Sequence, residues 1–225
     1  MSSRLVREHK QHYLPAAGHD LFLPFYDPLV RLLGGDRARQ ILMDQANLQP
    51  GQRILDIGCG TGTLVVQLKQ QHADLEVAGL DPDPKALRRA KKKARHARVS
   101  VQLDQGFSDE LPYESGTFDR VFSSFMFHHL EEQSRERTFR EVVRVLKPAG
   151  SFHLLDFAGG KSGSHGRFAH LIHSSHRLKD NEEDAIVHMM MLAGFRHSQK
   201  TCNGSMLFDL LRTAYFRASV SGQAA

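Results

Sequence analysis

Arg53-Ile54-Leu55-Asp56-Ile57-Gly58-Cys59-Gly60-Thr61-Gly62 is an apolar run that closes on an acid and then sets three glycines at alternate positions. Without Cβ atoms, such a turn lets the backbone pass close to a ligand before a helix opens near Thr63. Dinucleotide-binding turns space their glycines G-x-G-x-x-G and seat a pyrophosphate on the next helix N-terminus. Here the spacing is G-x-G-x-G, and Asp56 stands two residues before the first glycine. A carboxylate there repels phosphate and suits a cation, so the expected ligand carries an amino group. Cys59 sits inside the turn, but no histidine is positioned nearby to activate it, and its small size accounts for it.

A second apolar run, Leu75 to Leu80, ends at Asp81, 19 residues after Gly62. A carboxylate at that place can accept hydrogen bonds from both hydroxyls of a ribose. It can also cap the helix that opens at Pro82 to Pro84, and the two uses are compatible. Further along come Gly106-Phe107-Ser108, Leu111-Pro112-Tyr113, Thr117 to Phe122, Ser123-Ser124-Phe125-Met126-Phe127-His128-His129-Leu130 and Leu146-Lys147-Pro148-Ala149-Gly150.

In this order the segments resemble the class I S-adenosylmethionine (SAM)-dependent methyltransferases, and among them the ubiquinone and menaquinone biosynthesis group. The resemblance covers residues 36–157. It implies that Asp56, Gly58, Cys59, Gly60, Thr61 and Gly62 hold the methionine part of SAM, and that Asp81 and Pro82 hold the ribose. Gly106, Phe107 and Ser108 would surround the adenine, with Ser123 and Ser124 on the same crevice. Many relatives carry an Asp where Phe107 stands. Phe107 can only stack on the ring or point into the core, so adenine recognition falls to backbone groups around it.

The elements that must position these residues alternate. Strands are expected near 53–57, 75–80, 98–103, 118–123, 150–157, 195–202 and 206–216, and helices near 36–47, 63–72, 84–97, 131–146 and 181–193. This is an α/β chain with a doubly wound, mostly parallel seven-stranded sheet, Rossmann-like, with right-handed crossovers. Asn203-Gly204 is too short for a crossover helix, so the last two strands are expected as an antiparallel hairpin turning there. Ligands in such sheets sit beyond the carboxyl ends of the strands, where strand order reverses. A single domain is expected: an N-terminal cap over 1–35, a SAM-binding core over 36–157, a substrate cap insertion over 158–180, and a C-terminal helix and hairpin over 181–225.

The caps would choose the acceptor. The first holds His12, Tyr13, His19, Phe22, Phe25, Tyr26 and Asp27, a composition suited to a lid that keeps water from a sulfonium, with Tyr13 and Tyr26 lining the methyl end. The second holds His165, His170, His173 and His176. Helical positions i and i+6 are turned well apart and no acid or cysteine completes a ligand set, so no metal is expected. His173 or His128 could serve as general base, since imidazole titrates near working pH. Apolar cap residues, among them Leu21, Leu23, Phe168, Leu171 and Ile172, favour a small or lipid-like acceptor methylated at carbon or oxygen. Amine methylation of a lipid headgroup or small amine, or SAM binding without catalysis, are the alternatives.

The formal net charge is +5, and Arg88, Arg89, Lys91, Lys92, Lys93, Arg95 and Arg98 crowd one helix whose Leu87, Ala90, Ala94 and Ala97 pack on the sheet. The basic side chains should face water, as a solvated surface or a peripheral contact with anionic membrane through residues 88–98. No aromatic ladder accompanies them, and no nucleic-acid partner is expected. Two cysteines give no disulfide framework, no run of 18 apolar residues occurs and no apolar leader opens the chain, so a cytoplasmic protein is expected.

Overall fold

The computed structural model describes residues 33–158, 183–207 and 211–221. In chain order the elements are α1 (Gly35–Asp44), β1 (Arg53–Ile57), α2 (Thr63–Gln71), β2 (Glu76–Asp81), α3 (Pro84–Ala97), β3 (Gln102–Gln105) and β4 (Phe118–Ser124). A 3-10 turn at Phe127–His129 leads into α4 (Glu132–Val145), β5 (Leu146–Phe157), α5 (Glu183–Ala193), β6 (His197–Met206) and β7 (Leu211–Ser219). The sheet order is β3-β2-β1-β4-β5-β7-β6. Strands β1 to β5 pair in parallel, whereas β7 runs antiparallel to both β5 and β6.

Alternation along the strands divides the core in two. Leu55 and Ile57 join Phe139, Val142, Ile186 and Met190 of α4 and α5 on one face. Ile54 joins Leu42, Leu64, Leu68 and Leu87 of α1, α2 and α3 on the other. By the same alternation Asp56 faces the layer of α1, α2 and α3. The reversal of strand order lies between β1 and β4, so the loops after these strands open onto one crevice.

Several expected boundaries move. The third strand forms at 102–105, because Arg98 ends α3 in a left-handed conformation and consumes the residues that follow. The hairpin does not turn at Asn203-Gly204: β6 runs through them, with Asn203 opposite Ala214 and Gly204 opposite Thr213. A Cβ on Gly204 would lie 2.7 Å from Thr213 Oγ1 and 2.9 Å from Tyr215 Cε2, so the glycine is there for close cross-strand packing.

Candidate active site

The three turn glycines answer three different demands. All have positive φ, at 71°, 54° and 78° for Gly58, Gly60 and Gly62. A side chain on Gly58 would strike Met126, with Cγ at 2.4 Å, and one on Gly62 would strike Ala90 of α3, with Cβ at 2.7 Å. A side chain on Gly60 would meet no atom within 4 Å among the described residues, so the backbone there borders open space within them. The turn is pinned to β2, because Gly58 N and Cys59 N donate to Leu80 O at 2.8 and 3.0 Å.

Asp81 holds the turn from the side. Its Oδ2 accepts from Gly60 N at 2.8 Å and its Oδ1 from Asp83 N at 2.9 Å. The cap of α3 is therefore Asp83, whose Oδ1 accepts from Lys85 N, and Asp81 is not the cap that the sequence allowed. Burial raises the Asp81 carboxyl above its ordinary value despite the two backbone bonds. Each carboxylate oxygen has a second lone pair, so both remain able to accept from hydroxyls.

Asp56 is 1% exposed, and its Oδ1 has no hydrogen-bond partner among the described residues. Burial pushes its carboxyl up to about 8; the Arg39 guanidinium opposes the shift and Asp81 adds to it. Arg39 comes from α1, is itself buried, and lies 5.6 Å from the ring centroid of Phe125. Phe125 follows β4 at φ 58°, packs against Phe157 and completes that wall. In its ionised form a buried carboxylate with an unused oxygen calls for a cationic donor.

Around the remaining rim, Phe107 is 41% exposed, so it stands out beside the crevice and does not enter the core. The Ser108 hydroxyl bonds Thr138 of α4 at 2.9 Å, and the fully buried Ser123 hydroxyl donates to Ile57 O at 3.2 Å. Through their hydroxyls these two serines tie elements together. Cys59 is buried under Gly79 and Leu103, and burial pushes its thiol up, so it has no nucleophilic character. Lys93 does not face water as expected: its Nζ donates to Thr63 Oγ1 at 2.6 Å and Thr61 Oγ1 at 3.2 Å, bracing the start of α2.

His128 stands in the 3-10 turn two residues beyond Met126. Its Nδ1 lies 2.7 Å from Asp156 Oδ1, and its backbone N donates to Asp156 Oδ2 at 2.8 Å. Burial alone would raise the Asp156 carboxyl, but the His128 ring and the hydrogen bonds from His128 and Phe157 hold it below the ordinary value. An ionised carboxylate only accepts, so Nδ1 carries the proton and Nε2 is the basic nitrogen. The ring also contacts His129 and the edge of Phe157. Tyr13, Tyr26 and His173, with residues 1–32 and 159–180 of the two caps, lie outside the described residues.

Arg39 and Asp156 were missed in the sequence. Nothing local marks Arg39, which reaches the site by helix packing. Asp156 did carry a signal, since Leu154-Leu155-Asp156 is an apolar strand closing on an acid, as at Asp56 and Asp81.

Residues 54–150 match a family model described as a methyltransferase domain. A demethylmenaquinone methyltransferase of Thermus thermophilus is 36% identical over 146 residues, 64% of this chain and 66% of that protein. A methyltransferase of Synechocystis sp. is 38% identical over 123 residues, 55% of each chain. The chain thus spans between about half and two thirds of the length of these relatives. Among solved structures, Haemonchus contortus phosphoethanolamine N-methyltransferase 2 in complex with S-adenosyl-L-methionine superposes with a TM-score of 0.71 at 19% identity, over 90% of this chain and 57% of that one. That likeness concerns the fold, a Rossmann-like sheet with an antiparallel C-terminal pair.

Proposed function

We propose, for a chain whose residues 54–150 match the methyltransferase domain family, that it transfers a methyl group from SAM to a small, apolar, quinol-like acceptor. The observation that carries this reading is the buried Asp56, with an unpartnered oxygen beside a glycine turn that borders open space at Gly60. An α-ammonium group satisfies that oxygen, and Arg39 on the same side suits the adjoining carboxylate of an amino acid. Asp81 would accept from the ribose hydroxyls while keeping the turn in shape, and Phe107 would stack on the adenine.

SAM supplies a methyl on a positively charged sulfur, already activated, so the protein has to align the acceptor and exclude water. His128 would take the acceptor's hydroxyl or acidic carbon-bound proton at Nε2. Asp156 fixes the ring and offsets the positive charge that the imidazole then carries. The lean toward a quinol rests on relatives named demethylmenaquinone methyltransferase, from Deinococcus radiodurans as well as Thermus thermophilus.

Incubating the protein with SAM and a short-chain demethylmenaquinol tests the reading. The expected result is S-adenosylhomocysteine together with a product heavier by one methyl group. Formation of neither, with folded protein, would overturn it.

A further inference from the structure

The basic residues of α3 differ from those of α4. On α4, Arg137 pairs with Asp109, Arg140 with Glu136 and Arg144 with Glu141, at 2.8, 3.5 and 2.6 Å. Lys147 pairs with Asp119, and Arg53 with Glu76. Among the described residues, none of Arg88, Arg89, Lys91, Lys92, Arg95 and Arg98 forms an ion pair. No acid occurs anywhere from Pro84 to Leu103.

Geometry concentrates that charge. Arg88, Lys91, Lys92 and Arg95 stand at i, i+3, i+4 and i+7, one stripe of the helix, and all four are exposed. Leu87, Ala90 and Ala94, buried on the opposite side, anchor the helix to the sheet, so the stripe points straight outward. With Arg98 it extends over about 15 Å at the rise of an α-helix. An isolated soluble surface gains from interspersed acids, as α4 shows, and α3 forgoes them entirely.

We propose that α3 is a docking surface for an anionic lipid bilayer. A bilayer presents many headgroup charges in one plane, and a straight stripe on the outer side of a helix can meet them together. Each Lys or Arg held near such a surface strengthens partition about fivefold. Residues 84–103 contain no Phe, Tyr or Trp for base stacking, which disfavours a single-stranded nucleic acid. The inference goes beyond the proposed reaction and does not depend on the acceptor.

The test is flotation of the full chain with vesicles of phosphatidylcholine alone and of phosphatidylcholine mixed with phosphatidylglycerol, at low and high salt. Binding is expected only to the phosphatidylglycerol vesicles and should fall with salt. The combined variant Arg88→Gln, Lys91→Gln, Lys92→Gln, Arg95→Gln should partition at least about 100-fold more weakly. It should bind S-adenosylhomocysteine as the parent does, which keeps the result separate from the catalytic reading and shows that the variant folds. Equal binding to both vesicle types, unchanged partition of the variant, or a duplex DNA that outcompetes the vesicles would each overturn the proposal.

Discussion

The two ends of the crevice are built on different plans. At the β1–β2 end the groups proposed to face the ligand are backbone and carboxylate, held by a glycine turn whose local sequence dictates its shape. At the β4–β5 end a histidine is steered by an acid 28 residues away in sequence, Asp156, and the remaining groups that would surround the acceptor fall in caps. On the proposed reading the first end would hold a cation in a fixed pose, and the second would accommodate and deprotonate a neutral partner. That division teaches that binding of the cofactor and turnover of the acceptor should be separable by mutation.

The largest expected effect is at the second end. His128→Gln should lower kcat with a demethylmenaquinol about 100-fold or more, while the affinity for S-adenosylhomocysteine, read by calorimetry, stays within about threefold. Loss of both together would erase the distinction between the ends. Asp156→Asn should act in the same direction, since the amide no longer fixes the ring through an ionised acceptor at Nδ1.

At the first end, Asp56→Asn should weaken S-adenosylhomocysteine binding about 30-fold through loss of a charge-assisted pair. The pH dependence gives a sharper signature. A ligand ammonium needs the carboxylate form, and with the free carboxyl raised to about 8 the unliganded protein is mostly protonated at neutral pH. Affinity should therefore rise from pH 6 to pH 8, approaching tenfold per unit, with the slope vanishing in Asp56→Asn. For the free protein the sign is opposite: an unfolded Asp ionises near 4, so this group makes the unliganded fold less stable as pH climbs from 4 to 8.

Asp81→Ala should cost about 10-fold in the same affinity, through the ribose contacts and the loosened Gly60. Phe107→Ala should cost the least, about threefold, as one stacked ring lost at an exposed rim.

The same contrast governs what the sequence disclosed. The turn, Asp56 and Asp81 were legible because a strand, its terminal acid and the glycines are contiguous, and the alternation of strands and helices fixed the layers around them. Arg39 and Asp156 were not, because each meets its partner only after α1 and β5 have packed. Asn203-Gly204 reads as a hairpin turn by local chemistry, yet the glycine answers to Thr213 and Tyr215 across the strand. Ser108 and Ser123 were expected on the crevice, but their hydroxyls are taken by Thr138 and Ile57.

The most direct measurement is a calorimetric titration of the folded protein with S-adenosylhomocysteine at pH 7, run in two buffers of different ionisation enthalpy. The account predicts binding in the micromolar range and heats that differ between buffers, because Asp56 gives up a proton as it takes the ammonium group. Absence of binding, or identical heats with Asp56 intact, would contradict it.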